Sequence, residues 1–202
     1  YGLATLLLLS LSAGVPAGAQ GGAQGSCRVA ETLPAPLSAV PAPEMNALFD
    51  LKGPGWTGAD STYSVPLPDG RTVWLFSDTF LGVVDDRGGR HRFSPLVNNT
   101  LVVQDGEVLT TLHGGDPTLP ASYFPSPTGG RDDWYWVYDG TVERTPEGDK
   151  LRVFLLHFSR AGDGVFGFRW RGNALATLSL PELELESIVP VTSEGGVSWG
   201  AA

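Results

Sequence analysis

Short β-prone runs, each closed off by glycine, proline or an Asp-Gly pair, recur along most of this chain and leave almost no room for helix. The runs are Thr62–Leu67, Thr72–Phe76, Thr100–Gln104, Val108–Leu112, Trp134–Tyr138, Leu151–Phe158, Gly167–Trp170, Leu175–Leu180 and Leu185–Val191. Between them stand Asp105-Gly106, Gly114-Gly115, Gly129-Gly130 and Gly195-Gly196. The 27 glycines and 16 prolines supply turns and break helices. Only Glu44–Lys52, just after Pro43, has the composition of a helical turn. The expected fold class is all-β.

The first 44 residues read differently. Leu3–Leu11 is an apolar run, and Ala17-Gly18-Ala19 fits the small-x-small pattern of a signal-peptidase site. Residues 1–19 are therefore expected to be a signal peptide that has lost its N-terminal leader. Residues 20–44, rich in Ala, Gly and Pro, read as a flexible linker. Residues 45–202 form the globular part, expected to be incomplete at its C-terminal end. The mature protein is then secreted, periplasmic or cell-surface, with no membrane partner. Cys27 is the only cysteine, so no intrachain disulfide can form.

Charge narrows the partners. A net charge of −9 with only 13 basic residues, and no basic cluster, makes nucleic acid a poor partner. Neutral or cationic ligands fit better, and six tryptophans offer faces on which sugar rings stack. His91, His113 and His157 are scattered and lack zinc-site spacing. No cofactor is implied. Asp85-Asp86 and Asp105-Gly106 leave a structural calcium open, without EF-hand spacing. Gly162–Gly167 fits Gly-x-Gly-x-x-Gly, and Gly196–Gly200 fits Gly-x-Ser-x-Gly, but neither is followed by the helix its motif requires.

The stretch from Gly55 to Gly82 holds the candidate chemistry. Ser61–Leu67 runs out, Pro68-Asp69-Gly70 turns, and Thr72–Phe76 returns. With a three-residue loop, Leu67 faces Arg71 and Asp60 lies opposite Asp78. With a two-residue loop, Asp78 faces Ser61 and still sits beside Asp60. Opposed Cβ atoms are about 4.5–5.5 Å apart. Two carboxylates that close are costly unless one holds a proton or both serve a site. Asp60 and Asp78 are the candidate catalytic pair. Trp56, Asn98, Asn99, Asp133, Trp134 and Trp199 are candidate substrate-binding residues, the asparagines for sugar hydroxyls and the aromatics for stacking.

Three segments look like repeat starts: Trp56–Asp60, Asp133–Val137 and Val197–Ala201. They suit a β-propeller of which this chain holds about two blades and the opening of a third. Gly58-Ala59-Asp60, Phe76-Ser77-Asp78-Thr79-Phe80, Val97-Asn98-Asn99-Thr100 and Ser198–Ala202 resemble motifs of exported bacterial propeller domains of unknown function. One branch of that group is the endo-D-arabinanases of glycoside hydrolase family 183. Their motifs read Gly-Thr-Asp-Leu-Gly where this chain has Gly58-Ala59-Asp60-Ser61. The resemblance implies a propeller, five-bladed when complete, whose aspartate pair cleaves a polysaccharide such as an arabinofuranose polymer. The alternative is a non-catalytic carbohydrate-binding propeller. Direct opposition of the pair favours a retaining mechanism. Asp78, between Phe76 and Phe80, is the expected acid.

Overall fold

A computed structural model describes residues 40–200 of the chain. The signal peptide expected over residues 1–19, Cys27 and most of the 20–44 linker lie outside the described residues. A single α-helix, α1 (Pro43–Phe49), opens the described chain, with proline in its first turn where the missing N–H is not needed. It starts inside the segment read as linker. The strands that follow are all antiparallel, and a short 3₁₀ helix, Glu194–Gly196, comes after the last of them.

The first strands are β1 (Trp56–Ala59), β2 (Tyr63–Pro66), β3 (Thr72–Phe76), β4 (Thr79–Leu81), β5 (Leu96–Val97), β6 (Thr100–Asp105) and β7 (Val108–Leu112). They form a four-stranded sheet, β2-β3-β6-β7, and a smaller one, β1-β4-β5. A two-stranded ribbon follows, β8 (Gly114–Asp116) with β9 (Leu119–Ala121). The second four-stranded sheet runs in chain order through β10 (Asp133–Thr145), β11 (Gly148–Arg160), β12 (Phe168–Ser179) and β13 (Leu185–Val191). The class is all-β, and no closed sheet forms among the described residues.

Turn chemistry sets the first hairpin. Leu67 donates its N–H to Arg71 O at 2.8 Å, Gly70 adopts φ +91°, and Asp69 accepts the Arg71 N–H at 3.1 Å and its Nε–H at 2.8 Å. Loop length fixes register, and the three-residue loop holds: Tyr63 faces Leu75, and Pro66 faces Thr72. Beyond the strand break the same register resumes, with Ala59 opposite Thr79 and Gly58 opposite Phe80. The small sheet is therefore the continuation of the large one across a bend. At the bend Asp60 donates its N–H to Asp78 O (3.2 Å), Ser77 donates to Asp60 O (3.0 Å), and Ser61 takes a positive φ of +53°.

The two large sheets pack face to face. Val65, Leu67, Val73, Leu75, Leu101 and Val103 of the first meet Tyr135, Val137, Leu151, Val153, Leu155 and Leu178 of the second in one apolar core. Gly140 lets the sheets approach: a Cβ there would lie 3.3 Å from Leu75 and Val65 side chains and 2.7 Å from Arg152 O. Polar stitches cross the same seam. Val137 donates its N–H to Ser77 Oγ at 3.0 Å, and Ser77 Oγ–H donates to Val137 O at 3.3 Å.

Two elements depart from the expected pattern. An Asp-Gly pair is ordinarily a turn signal, yet Asp139-Gly140 lies inside β10, where a bulge between Val137 and Gly140 absorbs an extra residue. Gly167–Trp170 and Leu175–Leu180, which read as separate strands, belong to one strand, β12. There His157 faces Gly172 and Phe158 faces Trp170, so Arg171 is the extra residue of a bulge.

Both sheets use the same buried latch on their third strand. Asn99, fully buried just before β6, donates Nδ2–H to Tyr135 O (2.8 Å) and Phe124 O (3.2 Å) and accepts Phe124 N–H at 2.7 Å. Asn173 in β12 donates to Val197 O (2.9 Å) and accepts Trp199 N–H (3.3 Å). In each case the amide pins the segment that leaves the sheet.

Candidate functional site

The register that crosses the bend also runs on into the next strand. Phe76 faces Thr100 on one side of the break, and Thr79 faces Val97 on the other, so Asp78 is level with Asn98. Asp60, Asp78 and Asn98 thus stand in one row across three strands, at the interruption between the two sheets. Asn98 donates Nδ2–H to Asp78 Oδ1 at 3.2 Å. The second sheet adds Trp136, whose Nε1–H reaches the same oxygen at 2.7 Å. Asp78 Oδ1 is thereby held as an acceptor by two donors on different sheets.

Asp60 has no such donors. Burial, then repulsion from the Asp78 carboxylate, raises its pKa above the ordinary value of 3.8, against a lowering from backbone hydrogen bonds. Its side chain remains open to solvent, which screens these effects. The direction nevertheless biases Asp60 toward holding its proton, and Asp78 Oδ1 is by geometry a hydrogen-bond acceptor. From the sequence, the flanking Phe76 and Phe80 suggest Asp78 as the acid, on the premise that they bury it. Phe76 is core, 2% exposed, and Phe80 turns outward, so neither sheathes Asp78.

Both aspartates line a pocket of about 420 Å³ with Gly58, Ala59, Phe80, Arg90 and Leu96. A larger hollow of about 740 Å³ lies beside α1, lined by Phe49, Trp56, Trp74 and Phe76 among others. Asp50 is the one carboxylate on its lining, so the chemistry selects the smaller pocket. Among the described residues no three His, Cys, Asp or Glu side chains gather as a metal site, and no helix is long and apolar enough to cross a membrane.

The remaining sequence candidates are placed elsewhere. Trp56 is 8% exposed and packs against Phe49 and Phe76 at ring-centroid distances of 5.6 and 5.1 Å, so its faces are covered. Asn99 has its amide occupied by backbone and serves the fold. Asp133 pairs with His157 Nε2 at 2.6 Å and accepts Thr128 Oγ1–H at 3.3 Å. Trp134, 7% exposed, lies in an aromatic cluster with Trp136, Phe158 and Phe168. Trp199 is half-exposed beside the Asn173 latch. Trp136 and Arg90 were not singled out from the sequence. Trp136 was visible only as one member of Asp133-Trp-Tyr-Trp, where alternation puts Trp134 and Trp136 on one face without saying which reaches the carboxylate. Arg90 carried no local signal at all.

An all-β protein with an aspartate row at a bend between sheets is the class that fold and site define. The chain belongs to the family described as a domain of unknown function (DUF5005), which matches residues 44–202. No curated protein matches it. Among solved structures it is similar to a protein of Bacteroides ovatus ATCC 8483 described as a "putative hydrolase", with 25% identity and a TM-score of 0.59. The match covers 72% of this chain, which spans 42% of that protein.

Proposed function

We propose that this chain is part of an exported, glycoside hydrolase-like β-propeller that cleaves a polysaccharide, with an arabinofuranose polymer as the first substrate to test. The observation that carries the reading is the single row of Asp60, Asp78 and Asn98, completed by Trp136 from the neighbouring sheet. The two meander sheets packed face to face and their repeated asparagine latch support a blade-like repeat. The hydrolytic description of the Bacteroides protein points the same way, as does the resemblance to the arabinanase branch.

In the mechanism proposed, Asp78 attacks the anomeric carbon while Asp60 gives its proton to the glycosidic oxygen, and the carbon–oxygen bond breaks. Asp60, now a carboxylate, takes a proton from water, and that water displaces Asp78 with net retention. The raised pKa of Asp60 suits the acid role. Asn98 and Trp136 hold Asp78 Oδ1 in place, leaving Oδ2 for the sugar. Phe80, 39% exposed at the pocket edge, offers a ring face for the substrate.

The test is product release from D-arabinan, L-arabinan and xylan by the full-length gene product beside Asp60→Asn and Asp78→Asn. Release from one polymer, lost in both variants and giving a retained anomer by NMR, is the expected result. Binding without release, unchanged in both variants, would instead identify a carbohydrate-binding propeller.

A further inference from the structure

Arg90 enters the aspartate pocket under unusual constraint. The loop that carries it is closed by Asp85, whose Oδ1 accepts the N–H groups of Arg87 (2.9 Å) and Gly89 (2.7 Å), while Asp85 N–H donates to Gly89 O at 2.9 Å. A β-bridge between Val84 and Arg90 then fixes the backbone at Arg90. The side chain is fixed as well. Its Nε–H donates to Thr57 Oγ1 at 3.1 Å, its Nη2 donates to Thr57 O, and its guanidinium lies 5.0 Å from the Phe80 ring centroid. Thr57 Oγ1–H in turn donates to Phe80 O at 3.1 Å. The site even lacks a Cβ where one would intrude: at Gly58 it would lie 2.6 Å from Arg90 Nη2.

An exposed arginine ordinarily keeps its rotamer freedom, and ordering it costs free energy. Here two hydrogen bonds, a ring and a locked turn order it, yet it forms no ion pair among the described residues. Neither Asp60 nor Asp78 is among the carboxylates that make ion pairs within the described residues, so the pair does not engage the guanidinium directly. Of the five N–H donors of a guanidinium, Thr57 takes two. The Nη1–Nη2 edge is left free in a pocket lined by two carboxylates and an aromatic ring. That edge is a planar fork matched to two oxygens of one anion.

We infer that Arg90 is a specificity residue that binds an oxyanion carried by the glycan, a sugar carboxylate or a sulfate ester, beside the aspartate pair. This rests on reading the pocket as a glycan site and narrows its substrate class. The whole chain's charge of −9 disfavours anionic polymers, so recognition must be local, with Arg87 and Arg92 on the same loop adding long-range attraction that salt screens.

The test is affinity electrophoresis of the full-length protein in two polymer pairs that differ only in charge. One pair is polygalacturonate beside its methyl ester, and the other is dextran sulfate beside dextran. Wild type is expected to bind the charged member of at least one pair about tenfold tighter. Arg90→Gln should erase that preference while the protein still unfolds cooperatively at a slightly lower melting temperature, Arg90→Lys should keep part of it, and Arg87→Gln should keep most. Which pair shows the preference tells carboxylate from sulfate. No preference in either pair, or one that survives Arg90→Gln, overturns the inference. Because binding is read without turnover, a preference in a protein that never releases sugar would retire the hydrolase reading and leave this one standing.

Discussion

Asn98 and Asn99 are neighbours with the same side chain and opposite work. Asn99 is fully buried, and its amide satisfies three backbone groups, two on Phe124 in the segment leading to the second sheet and one on Tyr135 of β10. Asn98 is half-buried and faces Asp78. Asn99→Ala orphans those backbone groups, each worth about 1–3 kcal/mol when buried and unpaired, so urea titration should show a loss of about 3 kcal/mol or more. Asn98→Ala should leave the urea midpoint nearly unchanged and act on turnover. Asp60 allows a pH prediction with a definite sign. Its folded pKa is raised above its unfolded value, so the native state holds the proton more tightly. Its contribution to stability is fully present below about pH 4 and is lost as pH rises through the folded pKa. Asp60→Asn should therefore melt higher than wild type at pH 7, and the gap should close as pH falls below the carboxylate range. A gap that widens in acid would mean that Asp60 is stabilised as a carboxylate.

At the level of strands, what was legible in the sequence was whatever turn chemistry decides locally. Pro68-Asp69-Gly70 sets the loop length, the loop length sets the register, and the register places Asp60 level with Asp78. Bulges escaped the same reasoning. An Asp-Gly pair is a turn signal in isolation, but at Asp139-Gly140 the flanking residues already had partners on β11, and the strand absorbed the extra residue instead. Gly140 also has a reason that lies in the neighbouring sheet, at Leu75 and Val65. Gly140→Val would drive a branched side chain into that seam. It should destabilise by about 2 kcal/mol, in the range of overpacked cores, measured by urea unfolding. Gly162→Ala, at a bend with nothing within 4 Å and no positive φ, should cost less and serves as the control for glycine loss.

The site belongs to the whole molecule, because Asp78 and Asn98 come from one sheet and Trp136 from the other. No local pattern encodes that contact: Trp136 is separated from Asp78 by 58 residues, and only the packing of β10 against the first sheet brings its indole to Oδ1. Trp134, two residues earlier on the same strand, has its Nε1 buried without a hydrogen-bond partner, so sequence alternation alone could not choose between them. Trp136→Phe keeps a ring against Phe158 and Phe168, now 4.5 and 5.0 Å away, and removes only the donor. Stability should fall by about 1 kcal/mol, while turnover falls about tenfold as Asp78 loses one of its two anchors. Asn98→Ala removes the other. Because both donors restrain a single oxygen, their effects on turnover should not add: once one anchor is gone, the carboxylate is already free to rotate, and the second loss should cost less than it does alone. A double-mutant cycle on kcat measures this directly. Strict additivity would mean that the two donors do not share one task at Asp78, and the row across the sheets would then be a structural coincidence rather than a positioning device.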